Sequence, residues 1–164
     1  MVNALAAAAA FHFSVSMTTR RARPSETDGI DYFFVSRDEF EEAVAAGELL
    51  EWAEYGGHLY GTPRSAVMAQ LDAGNDVLLD IENDGAGQVK RAFPEAVLVF
   101  LVPPSLQELE RRLRDRGDTT DEEVSKRLAV AESQIADAEQ NFDFLVTNDD
   151  IGAAVTRVTG ILAA

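Results

Sequence analysis

Between Ser16 and Pro24 the chain reads Ser-Met-Thr-Thr-Arg-Arg-Ala-Arg-Pro, with Arg20, Arg21 and Arg23 set among three hydroxyl side chains. Guanidinium forks match phosphate oxygens two at a time. The whole chain carries 14 Lys+Arg against 29 Asp+Glu, a net charge of -15, so a basic cluster this tight is out of character with the rest. It reads as an anion site at the end of a strand, or as a solvated basic loop. The stretch alone leaves both open. Downstream stand Tyr32, Glu51, Tyr60, Thr62, Asp80, Arg116 and Arg127. Each has a plain structural reading: core aromatics for the tyrosines, an edge-strand carboxylate for Glu51, a helix cap for Asp80, surface ion pairs for the two arginines. His12 and His58 have no ligand cluster near them in sequence, and there is no cysteine, so thiolate chemistry and disulfides are excluded.

The elements that must position these residues alternate between strand and helix. Phe11, Phe13 and Val15 alternate as a half-buried strand over 11–16 does. Val2 to Ala10, with its alanine run, reads as the back half of a helix feeding that strand, alanine being the strongest helix former. Tyr32 to Val35 is a second strand. Ser36-Arg37-Asp38-Glu39 is a capping box that opens a helix carrying Phe40 and Val44 and ending at Gly47. Leu49 to Tyr55 and His58 to Tyr60 flank Gly56-Gly57, a hairpin signature. Thr62-Pro63 predicts an N-cap and a first-turn proline for a helix lined by Val67 and Leu71 and closed by Gly74.

Val77 to Ile81 and Val97 to Val102 are apolar runs of the kind buried on both faces of a parallel sheet, with a helix over about Ala86 to Phe93 between them. Ser105 to Glu108, and Thr120 with Glu123, read as two more capping boxes. The first opens a charged helix with Leu106, Leu109 and Leu113, the second a helix with Val124, Leu128, Ala131 and Ile135. Phe144 to Thr147 predicts a last buried strand, and Ile151, Val155, Val158 and Leu162 a closing helix. The pattern is α/β with a mostly parallel sheet, interrupted by a β-rich excursion over 17–62 and a charged helical excursion over 105–139.

Hydrophobic residues make up 46% of the 164, enough for a core, and length points to one domain. No apolar run approaches the roughly 20 residues of a membrane span. Met1-Val2-Asn3 lacks the basic start of a secretory signal. A cytoplasmic setting without membrane attachment is expected. The strong acidity makes duplex nucleic acid a poor partner, and oligomeric state is not legible.

Taken in order, Glu26-x-Asp28-Gly29-x-Asp31-Tyr32-x-Phe34-Val35-Ser36, Gly47-Glu48-Leu49-Leu50-Glu51-Trp52-Ala53-Glu54, Tyr60-Gly61-Thr62 and Leu79-Asp80-Ile81 extend the arginine stretch. Ala92-Phe93-Pro94, Pro103-Pro104-Ser105, Arg116-Gly117 with Arg127, and Asn148-Asp149-Asp150 complete the series. From about Phe11 onward it resembles the guanylate kinases, which phosphorylate GMP with ATP. The resemblance implies a P-loop nucleoside-monophosphate-kinase core (1–16, 63–104 and 140–164), a β-rich GMP-binding subdomain (17–62) and a helical lid (105–139). It implies that Arg20, Arg23, Tyr32 and Tyr60 hold the GMP phosphate, and that Ser16, Glu51 and Thr62, with Glu82, read guanine. Glu51 suits that task, since a carboxylate accepts from both the ring N–H and the exocyclic amine of guanine, and adenine offers no such donor pair. Asp80 matches the acid near Mg²⁺. Arg116 and Arg127 match lid arginines that, with Arg20, neutralise the transferring phosphoryl group, and Asn148 falls on the ATP side.

The sequence also departs from the family. Such kinases begin with a buried strand and a glycine-rich loop ending in Gly-Lys-Ser/Thr, which cradles ATP phosphates. The first lysine here is Lys90, and the resemblance begins at the helix that follows that loop. The expectation is therefore a core lacking its first strand and phosphate loop, with impaired phosphoryl transfer, as in a chain begun at an internal methionine. The alternative is a non-catalytic GMP-binding or phosphoprotein-binding module of the same fold. Glu82 and Asp84 stand where the family usually carries aspartate and glutamine.

Overall fold

The computed structural model describes residues 4–5, 11–115 and 120–162. They fall in two compact units, one made by the described residues of 9–96 and the other by those of 97–164 together with Ala4 and Leu5. The expected helix over Val2 to Ala10 lies outside the described residues apart from Ala4 and Leu5, which are helical.

The first unit is built on a four-stranded sheet in the order β3-β2-β5-β4, from Phe33–Phe34, Met17–Thr18, His58–Pro63 and Leu49–Tyr55. β2 runs parallel to β3 and antiparallel to β5, and β4 is antiparallel to β5. Gly56 and Gly57 turn the β4–β5 hairpin with φ of 59° and 78°, the paired left-handed conformation that two-residue hairpin loops need. The register slips between Leu49 and Glu51, a bulge that turns Leu49 and Leu50 toward different clusters. Leu49 packs with Phe40, Ala43 and Leu59 under α1 (Arg37–Ala45), and Leu50 with Val67 and Val89. The capping box at Ser36 and Glu39 forms in full.

A separate parallel pair, β1 (His12–Phe13) with β6 (Val77–Leu78), lies in the same unit. Both strands are shorter than the sequence suggests, because only two residues of each find ladder partners. α2 spans Arg64–Asp72 and α3 Asn83–Ala92. Two local expectations change here. Pro63, not Thr62, sits at the start of α2, since the Thr62 hydroxyl is spent on Glu51. Leu71 is exposed, leaving Val67 as the buried anchor of α2.

In the second unit β7 (Val99–Val102) pairs in parallel with β8 (Phe144–Thr147), and helices α4 (Leu106–Asp115), α5 (Asp121–Asn141) and α6 (Ile151–Leu162) complete it. α5 opens on the full Thr120–Glu123 box and buries Val124 and Ala138. Ser105 accepts from the Glu108 amide, but the Glu108 carboxylate turns to Arg111 and Arg112, whose charges outcompete one backbone amide. β8 is less buried than expected: Val146 is inside, while Phe144 and Leu145 are exposed. In α6 the inward face is Ala154 and Val158, and Ile151 is exposed. No helix among the described residues is long and apolar enough to cross a membrane.

Candidate functional site

The first unit gathers most of the residues singled out from sequence. β2 is tied to β5 twice, the Thr18 hydroxyl donating to the Leu59 carbonyl at 3.0 Å and the Leu59 amide donating to Thr19 Oγ1 at 3.0 Å. That fixes where the chain leaves the sheet, and Arg20 is the next residue. Its guanidinium donates from Nη1 to Glu26 Oε2 and from Nη2 to Glu26 Oε1, both at 2.9 Å, and from Nη1 to the Arg21 carbonyl at 2.8 Å. It lies 5.4 Å from the Tyr32 ring centre and 5.8 Å from that of Phe34. Tyr60 stands edge-on to Tyr32 and, after Glu26, helps to raise the guanidinium pKa.

Glu26 also accepts from the Arg23 amide at 2.7 Å and from Arg23 Nη1 at 3.3 Å. The Arg20 fork, followed by the Arg23 amide, holds the Glu26 carboxyl down at about 2. Glu26 in turn pushes the Arg20 guanidinium further up. The loop is fixed by its own carboxylates, with the Thr27 amide donating to Asp31 and the Phe34 amide to Asp28.

The second cluster sits at the β4 bulge. Glu51 and Thr62 are cross-strand partners, 3% and 0% exposed. The Thr62 hydroxyl donates to Glu51 Oε1 at 2.6 Å. Burial raises the Glu51 pKa, the Thr62 bonds oppose that, and Glu82 adds to it. Close by is the first turn of α3, where Gly85 is buried: a Cβ built on it would lie 2.1 Å from Glu51 Oε2. The absence of a side chain is what lets helix and carboxylate approach. α3 is held there by Gln88, which accepts from the Trp52 amide at 3.2 Å and donates to the Trp52 carbonyl at 2.7 Å. A side-chain amide thus takes the place of a neighbouring strand on β4.

Asp80 lies past the end of β6, near enough to Tyr32 for its charge to add to the burial that raises the phenol pKa. Asp80 itself is pushed up by desolvation, although its side chain reaches the surface. Ser16 is half-buried, and its carbonyl accepts from the Phe33 amide.

The second unit holds the remaining candidates. Arg127 is exposed on α5, and Asn148, just past β8, donates its amide to Val102 and accepts from Arg112 through its carbonyl. Arg116 lies outside the described residues. Among the described residues no group of three or more His, Asp or Glu is placed to hold a metal alone. The sequence reading missed Glu26, Gly85 and Gln88. Glu26 had a signal in its spacing, three residues beyond Arg23 and six beyond Arg20, whereas Gly85 and Gln88 had none without knowledge of the packing.

The family model described as guanylate kinase matches residues 4–164. The chain belongs to the guanylate kinase family. It is 55% identical over 152 residues to the guanylate kinase of Thermus thermophilus, covering 93% of this chain and 69% of that one. To the guanylate kinase of a Synechococcus strain it is 46% identical, with 92% and 69% covered. The crystal structure of guanylate kinase from Anaplasma phagocytophilum superposes with a TM-score of 0.83 at 36% identity, over 99% of this chain and 78% of that one. A guanylate kinase is a nucleoside-monophosphate kinase, and the α/β architecture described above is the fold of that family.

Proposed function

We propose that this chain binds GMP through its first unit and serves transfer of the γ-phosphoryl group of ATP to GMP, giving ADP and GDP, in cytoplasmic purine nucleotide metabolism. The observation that carries the reading is the buried Glu51 carboxylate, pinned by Thr62 through one oxygen and flanked by Gly85 in the first turn of α3. A carboxylate so held accepts from the paired N–H donors of guanine and is left unpaired by adenine. Thr62 orients it, and Ser16 and Glu82 complete the guanine contacts. Arg20, Arg23 and the phenols of Tyr32 and Tyr60 take the phosphate, with guanidinium forks matched to its oxygens.

Catalysis in this reading is positioning and charge neutralisation. Arg20, Arg116 and Arg127 are the arginines that balance charge on the transferring group, and Asn148 serves the ATP side. Mg²⁺ arriving with ATP takes most of its ligands from phosphates and water, needing one or two protein carboxylates. A surface-reaching aspartate such as Asp80 fits that donor set and would hold the ion, which would supply charge neutralisation for the phosphates.

The test is calorimetric titration of the chain with GMP and with AMP. GMP is expected to bind at least about a hundredfold tighter. Equal affinity would overturn the guanine reading.

A further inference from the structure

We propose that Glu26 is a positioning residue for the phosphate arm of this site: it ties Arg20 and Arg23 into one fixed pair and leaves a free edge of the Arg20 guanidinium for the substrate anion. This rests on the reading of Arg20 and Arg23 as phosphate ligands. Two guanidiniums brought together repel each other, and each has rotamer freedom to lose on binding. Glu26 answers both costs before substrate arrives.

It takes one hydrogen from each terminal nitrogen of Arg20, and the Arg21 carbonyl takes a third. An arginine has five N–H donors. The two left are Nε–H and the outer Nη2 hydrogen, which lie along one edge of the planar group and form a second fork. The Tyr32 and Phe34 rings fix its plane. Arg23 is tied through both its amide and one guanidinium nitrogen, while its side chain stays 70% exposed and able to turn to a ligand. Two cations and one carboxylate leave one net positive charge facing a phosphate dianion.

The competing role for the same carboxylate is that of an internal anion that phosphate must displace. The geometry favours positioning. The Glu26 side chain is 12% exposed, is bonded to its own loop backbone, and sits in a loop braced by Asp28 and Asp31, so it is not free to swing out.

The experiment compares Glu26→Gln with the unmodified full chain by calorimetric titration with GMP and with guanosine, which lacks the phosphate. The variant is expected to lose about tenfold or more in GMP affinity, the range for bonds to charged groups, with guanosine affinity within about twofold. Equal loss for both ligands would reduce Glu26 to a structural role, and unchanged or tighter GMP binding would make it a competitor. Either result overturns the proposal. If the glutamine variant does not fold, Glu26→Asp keeps the charge and shortens the reach. It is expected to lose GMP affinity alone, and unchanged GMP binding would refute the proposal equally. A failure of the unmodified chain to bind GMP while binding guanosine would instead remove Arg20 and Arg23 from the site.

Discussion

Replacing Gly85 by alanine sets two well-known effects against each other. Gly85 lies inside α3 without a positive φ, so helix propensity alone would make the change stabilising by about 1 kcal/mol. The structure predicts the opposite sign. The added Cβ would lie 2.1 Å from Glu51 Oε2 and 3.0 Å from its Cδ, more than an ångström inside ordinary contact for the first. Glu51 is 3% exposed and its other oxygen is held by Thr62 at 2.6 Å, so it has little room to recoil. Moving the carboxylate breaks a buried bond to a charged group, about 1.5–3 kcal/mol, and moving the helix instead strains the core by about 1–3 kcal/mol. GMP affinity is expected to fall about tenfold to a hundredfold, with melting temperature lowered or unchanged. Gly87→Ala is the control: its Cβ would meet only the Arg91 Nη1 atom, at 3.4 Å, so that variant should gain stability and keep GMP binding. Calorimetric titration and thermal melts of the two variants decide the matter. A Gly85→Ala protein that is more stable and binds GMP within about twofold of the parent would refute the close approach of helix and carboxylate.

Glu51→Gln should weaken GMP binding by about 1.5–3 kcal/mol while raising the stability of the unliganded protein at neutral pH. Burial raises the Glu51 pKa above its unfolded value, so its contribution to stability is present below the ordinary carboxylate range and lost as pH rises through the folded value. Guanosine affinity of the parent should therefore fall as pH drops through that raised value, with the glutamine variant flat; a parallel decline in both would exclude Glu51 as the titrating group. Phe40→Ala removes a side chain with 0% exposure that packs against Ala43, Leu49 and Leu59, and should cost about 3–5 kcal/mol in urea unfolding. A loss under about 1 kcal/mol would mean that this cluster does not anchor α1.

Local chemistry was legible where it is self-contained. Ser36 with Glu39 and Thr120 with Glu123 form the reciprocal caps their spacing announces, and Gly56-Gly57 turns the expected hairpin. Sequence reading falters where a side chain has two suitors. Thr62 looks like a cap but spends its hydroxyl on Glu51, and Glu108 leaves Ser105 for two arginines. Both outcomes turn on charge and cross-strand register, which no window of neighbouring residues contains. The buried faces of the last strand and helix shift for the same reason, since apolar periodicity marks a stripe without saying how much of it finds a partner. Glu51, Thr62 and the Arg20 cluster were named from sequence, while the reasons they are held where they are came from Glu26, Gly85 and Gln88.

The bonds between Gln88 and the Trp52 backbone have a consequence beyond alignment. β4 is an outer strand of its sheet, and Trp52 is exposed there, a combination that invites another chain to add itself as a further strand. Gln88 occupies the amide and carbonyl that such a strand would use first. Together with the net charge of -15, through which copies repel one another, it guards the sheet edge at exposed Trp52 against strand addition.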